Sequence, residues 1–166
     1  MKSETEKVQE LDAVVIGAGF GGLGMLWRLR ENLGMSVQVY ETGDGVGGTW
    51  YWNRYPGARC DSESYIYCFT FSKELLQDWN WSGKYPVQPE ILSYLNHVVD
   101  RFDLRRNIQF NTRVVSARYL EDTNRWEIET DNGDRVIAKF LITGIGCIST
   151  SNVPYIKGLE SFEGEW

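Results

Sequence analysis

The sequence predicts an α/β fold, a parallel sheet layered with helices and joined to a small antiparallel β-meander. Three observations carry this. A β-branched run, a glycine turn, a helical repeat and a second apolar run follow one another within about thirty residues. A glycine- and aromatic-rich stretch without periodicity then separates this unit from one strongly amphipathic helix. Beyond that helix, further apolar runs are punctuated by an Asn-Gly pair, a strong short-range hairpin signal.

Residues 12–16, DAVVI, form a β-branched run closed by glycines, the pattern of a buried parallel strand. In LGMLWRLRENLG, Leu23, Leu26, Trp27 and Leu29 or Arg30 have helical spacing, and Gly34 supplies a stop. SVQVYE follows as the second strand, completing a βαβ unit with an expected right-handed crossover. Residues 42–88 show no period, and a stretch of that length is seldom idle in a compact domain. Pro89 opens a helix, PEILSYLNHVVDRF, with Ile91, Leu92, Leu95, Val98, Val99 and Phe102 on one face. IQF, TRVVSARYL, RWEIETD and DRVIAKFLIT read as successive strands, with Asn132-Gly133 turning between the last two. The meander is thus inserted before the chain re-enters the parallel sheet at FLIT.

The 166 residues suit one globular domain or a large piece of one, with a core of useful size. With 42% apolar and 24% charged residues the chain is too hydrophobic for intrinsic disorder. A net charge of −6 without a basic run argues against nucleic-acid binding, which needs clustered cations. The single histidine, His97, rules out a site with two imidazoles, and Cys60, Cys68 and Cys147 form no C-x-x-C pair, so no metal site is expected. The polar start, MKSETEKVQE, reads as a disordered tail over residues 1–10, leaving 11–166 as the folded domain. The longest apolar stretch is broken by glycines and too short for a membrane span, so a soluble, cytoplasmic protein is expected.

Gly17-Ala-Gly19-Phe-Gly21-Gly22 satisfies G-x-G-x-x-G between an expected strand and an expected helix, the setting in which that motif binds a dinucleotide. Gly17 permits the tight turn, Gly19 lets the backbone approach a pyrophosphate, and Gly22 allows helix to pack on strand. Glu41, nineteen positions after Gly22, is placed to accept hydrogen bonds from ribose hydroxyls and to repel a 2′-phosphate, which favours FAD or NAD over NADP. A Rossmann-like, three-layer FAD/NAD(P)-binding fold is therefore the expectation. Gly47-Gly48-Thr49-Trp50 is a second glycine cluster; for Trp50 two readings stay open, cover for an isoalloxazine ring or plain packing. Tyr55-Pro56-Gly57 is a rigid turn, and Arg59 and Asp61 after it are compatible with a solvated loop held by a local ion pair.

GAGFGG at 17–22, GGTWYWNRYPGARCD at 47–61 and the spacing between them resemble the type I Baeyer–Villiger monooxygenases. The pattern G-G-x-W, four residues, Tyr-Pro-Gly, three residues, Asp is specific to that family among flavin monooxygenases, and similarity continues from about residue 11 onward. The resemblance implies an FAD- and NADPH-dependent enzyme that uses O₂, through a peroxyflavin, to convert a ketone substrate into an ester or lactone. It implies that Asp61 lies near flavin and nicotinamide and orients a catalytic arginine from later in the chain. Trp50, Asp61 and Tyr67 match flavin-contacting positions, Arg59 lies in the stretch near the nicotinamide cofactor, and Val114 matches a backbone contact at the adenine end. Gly17, Gly19, Phe20, Gly22, Glu41, Gly48 and Thr49 complete the candidate cofactor-binding set.

Two departures stand out. The strand that in the family ends in an Ala-Thr-Gly-like sequence reads Thr143-Gly144-Ile145-Gly146, keeping the last glycine among different neighbours. Phe162-Glu-Gly164-Glu-Trp166 resembles the opening of the family's second fingerprint, F-x-G-x-x-x-H-x-x-x-W, without its His and distal Trp. The resemblance therefore implies an incomplete domain that lacks the NADPH-binding domain and the catalytic arginine, is inactive alone, and has the remainder of the enzyme as its covalent or docking partner. Trp79 and Trp81 are expected to form an exposed patch for that contact. His97 is expected to be structural and Cys60 a buried, inert thiol. An N- or S-oxidising flavin-containing monooxygenase and a non-catalytic dinucleotide-binding module are the alternatives.

Overall fold

The computed structural model describes residues 8–165, so the first seven residues of the expected tail lie outside the described residues. Gln9 and Glu10 are not tail: they open strand β1 (Gln9–Ile16) and pair with Val136 and Ile137. The charged composition conceals this extension, because β1 is exposed at its start and buried only from Ala13.

After β1 come α1 (Phe20–Trp27), β2 (Val37–Tyr40), α2 (Thr49–Trp52), α3 (Lys73–Asp78), α4 (Gln88–Arg101), β3 (Ile108–Gln109), β4 (Val114–Leu120), β5 (Arg125–Thr130) and β6 (Arg135–Thr143). The six strands make one mixed sheet in the order β3-β2-β1-β6-β5-β4. β3, β2, β1 and β6 run parallel, and β5 and β4 extend the sheet antiparallel. β6 joins the two parts: Val136–Ala138 pair at once with β1 and with β5, and the strand then continues along β1 to Thr143. The turn before it places Gly133 at φ +87°, a conformation glycine adopts without steric cost.

Three layers result. Ala13, Val15, Val37 and Val39 of the sheet share a core with Leu23 and Leu26 of α1 and with Ile91, Leu95, Val98 and Val99 of α4. On the opposite face Val14 and Tyr40 gather Ile128, Val136 and Ala138, with Val114 and Trp126 against them. The meander thus curls over that face, and Gln109 of β3 donates from Nε2 to the Asp134 carboxylate in the β5–β6 turn at 2.6 Å.

The helix after the glycine turn is α-helical for eight residues and then widens into a π turn over Arg28–Asn32 before Gly34, at φ +62°, ends it. Arg30 is not on the apolar face. Its guanidinium donates to the carbonyl oxygens of Phe102 and Asp103 at the end of α4, where a cation also meets the negative end of the helix dipole.

The stretch without periodicity owes its order to aromatic packing along α1. Phe20, Phe69 and Phe71 follow one another at 5.0 Å spacings, and Phe71 stacks on Trp27 at 4.0 Å. Trp79 and Trp81 do not form the exposed patch expected of them. Both are half-buried and pack on the buried Tyr94, with ring centroids at 5.4 and 5.0 Å, because α4 presents that ring beside α3. His97 lies on the same side of α4, its ring against Trp79.

Candidate functional site

Gly17 leaves β1 at φ +94°, and its N–H donates to the Tyr40 carbonyl, tying the turn after β1 to the end of β2. α1 begins at Phe20 with Gly19 as its N-cap and no side-chain cap, so the first turn presents backbone N–H groups and partial positive charge to the cleft above the sheet. Gly144, at the end of β6, closes the floor: a Cβ on Gly17 would lie 2.7 Å from the Gly144 oxygen, and one on Gly144 would lie 3.1 Å from the Gly22 nitrogen. Three backbones therefore pack against one another with no room for a side chain.

The second glycine cluster rests on the first. Gly47 donates to the Ala18 carbonyl at 3.0 Å, and a Cβ on Gly48 would lie 2.9 Å from the Gly19 Cα. Gly47 and Gly48 have φ of +135° and +54°, which side chains rarely adopt, and this bend starts α2. α2 delivers Trp50, buried, with Nε1 donating to the Tyr67 hydroxyl at 3.0 Å and the two rings edge to face. Burial pushes the Tyr67 phenol above its ordinary value; the Trp50 hydrogen bond opposes that push, and nearby Cys60, Asp61 and Cys147 add to it. The Trp50 carbonyl accepts from Nε2 of the buried Gln88, tying α2 to the first turn of α4.

At the other end stands Glu41, 5% exposed. Its carboxylate accepts from the Ala18 N–H at 2.7 Å and the Gly43 N–H at 2.8 Å, so it holds the glycine turn in shape. Thr112 is held beside it through an N–H bond to the Glu41 carbonyl. Asn132 and Asp131, at the tip of the hairpin, brace Thr112 and Arg113 in turn. Tyr40 completes this wall, its phenol pushed up to about 12 by burial, with Asp134 adding to the shift.

These parts line one cleft of about 700 Å³. Gly17, Gly19, Phe20, Glu41, Gly48, Thr49, Trp50, Tyr67 and Val114 are on its wall, as are Gly144 and Ile145 of the departing strand end and Thr112 and Arg113, which the motifs did not single out. Gly22 lies behind the wall as packing. Arg59 and Asp61 are exposed and off the wall. Arg59 donates to the Tyr85 carbonyl instead of pairing with Asp61, because residues 58–60 are bonded alongside 86–88. Cys60 is buried. Among the described residues no group of His, Cys, Asp and Glu is arranged to hold a metal ion, and no helix is long and apolar enough to cross a membrane.

A dinucleotide fits this arrangement. The bare glycine backbone and the helix start suit a pyrophosphate, and Glu41 uses two N–H donors where a carboxylate has about four acceptor positions, leaving capacity for ribose hydroxyls. The aromatic end, Trp50 and Tyr67, offers a flat apolar wall for a ring system.

Residues 15–80 match the NAD(P)-binding Rossmann-like domain. The chain is 49% identical over 168 residues to a Baeyer–Villiger monooxygenase of Pseudooceanicola batsensis, an alignment covering 99% of this chain and 31% of that protein. It superposes on the crystal structure of cyclohexanone monooxygenase from Rhodococcus sp. Phi1 bound to NADP⁺ with a TM-score of 0.89 and 52% identity, over 96% of this chain and 30% of that one. On OTEMO in complex with FAD and NADP the TM-score is 0.85 at 48% identity, over 96% and 30% of the two chains. The chain therefore spans about a third of the length of the relatives it matches. In sequence and in fold it is the counterpart of the N-terminal, FAD-binding portion of the type I Baeyer–Villiger monooxygenases.

Proposed function

We propose that the cleft holds FAD and that the whole protein uses it, with NADPH and O₂, to convert ketones into esters or lactones. The pyrophosphate lies on the loop from Gly17 to Gly22, the adenosine ribose on Glu41, and the flavin toward Trp50 and Tyr67. One observation carries this reading: the glycine loop, the carboxylate and the aromatic pair line a single cleft in the order of the parts of FAD. The relatives support the reaction class, being a Baeyer–Villiger monooxygenase and a cyclohexanone monooxygenase by name.

FAD, when bound, supplies the redox and oxygen chemistry. The chain's residues bind and orient it: backbone N–H groups take the phosphates, Glu41 takes the ribose, and Trp50 with Tyr67 keeps water from one side of the flavin. Asp61, in the exposed loop whose charge reaches Tyr67, is the residue assigned to hold a cationic partner near the reacting groups.

The test has two arms. Purified chain is mixed with FAD and passed through gel filtration; yellow flavin travelling with the protein supports the reading, and protein emerging colourless at every FAD concentration overturns it. In the whole protein, NADPH consumption that depends on a ketone and yields an ester or lactone supports the reaction. Oxygenation of amines or sulfides alone overturns it in favour of a neighbouring class.

A further inference from the structure

Buried polar atoms are paired almost without exception, and among the described residues only two buried side-chain nitrogens or oxygens have no partner: Trp79 Nε1 and His97 Nε2. They are not scattered. Trp79 directly follows α3, His97 lies within α4, and their rings are neighbours, with centroids 5.4 Å apart and planes tilted by 39°. The indole N–H can only donate, whereas a neutral imidazole with its hydrogen on Nδ1 accepts at Nε2. The two orphaned atoms are therefore complementary in kind.

Polar groups on the same two segments are committed elsewhere. Asp78, beside Trp79 in the chain, pairs with Arg101, one turn beyond His97 on α4. The Tyr94 hydroxyl accepts the Phe69 N–H at 2.8 Å. Trp81, whose ring packs on both Trp79 and Tyr94, brings only another donor. The ion pair and the rings hold the segment after α3 against α4, and neither orphaned nitrogen is open to bulk solvent. A single water fits what remains. Its two bonds of about 2.9 Å hold their partners about 5 Å apart, the scale of the separation between these rings, and two polar partners suffice for an internal water. We infer that Trp79 and His97 form a binding site for one buried water molecule, which accepts the indole N–H and donates to His97 Nε2. The water fastens the end of α3 to α4 where ring contacts alone leave both nitrogens bare.

The experiment is nuclear magnetic resonance on the ¹⁵N-labelled 166-residue chain, with the Trp79 indole signal identified by its loss in Trp79→Phe. That N–H is expected to show a dipolar cross peak to water, of the sign that separates a held molecule from hydrogen exchange. The cross peak is expected to vanish in His97→Phe, which keeps a ring and removes the acceptor. His97 is the one histidine of the chain, so its tautomer is read directly, and the neutral imidazole is expected to carry its hydrogen on Nδ1. No cross peak in the unaltered chain overturns the inference; if His97→Phe nonetheless moves the indole signal, the two rings bond directly. Hydrogen on Nε2 overturns it as well. Urea unfolding supplies a second measurement. His97→Phe is expected to lower the folding equilibrium about tenfold in the unaltered chain, where it strands a buried donor. In the Trp79→Phe background the same change is expected to cost no more than about threefold. Equal losses in the two backgrounds mean that His97 only packs, and overturn the site.

Discussion

Gly22 of α1 and Gly17 of the turn beneath it meet backbone to backbone: a Cβ on Gly22 would overlap the Gly17 carbonyl oxygen. Neither partner is a flexible side chain that can move aside. Gly22→Ala is expected to cost about 3 kcal/mol, the upper range of overpacking, and to open the turn to which the proposed FAD phosphates are assigned. Thermal unfolding and FAD titration measure both. Gly21→Ala is the control, since a Cβ there meets nothing within 4 Å, and it should leave stability within about 0.5 kcal/mol.

Glu41→Gln keeps the size of the side chain and changes its chemistry. One of the two backbone N–H groups it now satisfies would face an amide NH₂, so a stability loss of about 1–2 kcal/mol is expected. FAD affinity should fall more than FMN affinity, because the ribose contact belongs to the adenosine half. Equal losses for the two ligands would count against the ribose role.

Gln88 and Tyr67 hold Trp50 from opposite sides, one at its carbonyl and one at its indole N–H. Gln88→Leu leaves a buried carbonyl without its donor and is expected to cost about 2 kcal/mol. Tyr67→Phe should cost less, about 1 kcal/mol, since Tyr67 is half-buried on the cleft and water can replace its hydroxyl. Urea midpoints rank the two; the reverse order would mean that the indole bond, and not the carbonyl bond, fixes α2.

Tyr40 gives the protein an alkaline limit. Its folded-state phenol sits at about 12 against an ordinary value of 10.0, raised by burial first and Asp134 second. Above the ordinary value the unfolded chain ionises while the folded one does not. Stability is therefore intact below pH 10 and declines as pH rises toward 12, by up to ~1.4 kcal/mol per pH unit for this group. Tyr94, pushed up by burial as well, acts in the same direction. Ultraviolet titration of tyrosinate should show these phenols ionising only as the fold is lost, and Tyr40→Phe should shift the unfolding midpoint upward in pH.

What the sequence makes legible is what has a period or a special backbone. The β-branched run at 12–16, the face of α4 and Asn132-Gly133 each appear where the pattern puts them, and α4 begins one residue before Pro89, at Gln88. α2 and α3, at four and six residues, are too short to show a helical repeat, so the stretch from 42 to 88 hides them. Residues that act across long separations are hidden too. Arg30 reads as part of a helical face until the end of α4 lies beside it, and Gly144 as a strand end until it is seen against Gly17 and Gly22. Among candidate site residues the glycines, Glu41 and Trp50 carry local signals, and Tyr67 is reached only through the family resemblance. Gln88 carries none, and the turn signal of Asn132 says nothing of its bond to Thr112, because such bracing bonds follow no spacing rule.

The double duty of β6 has a consequence for how the molecule comes into being. β1 is made well before β6, yet more of its register is shared with β6 than with β2, and Gly17 is closed from below only when Gly144 arrives. α1 and β2 can dock early, because their contacts are local. The floor of the cleft has to wait until β6 has been synthesised, and the loop closure that brings β6 home is the slow step such a topology sets. A nascent chain should therefore acquire its helical layer before it acquires any affinity for a nucleotide.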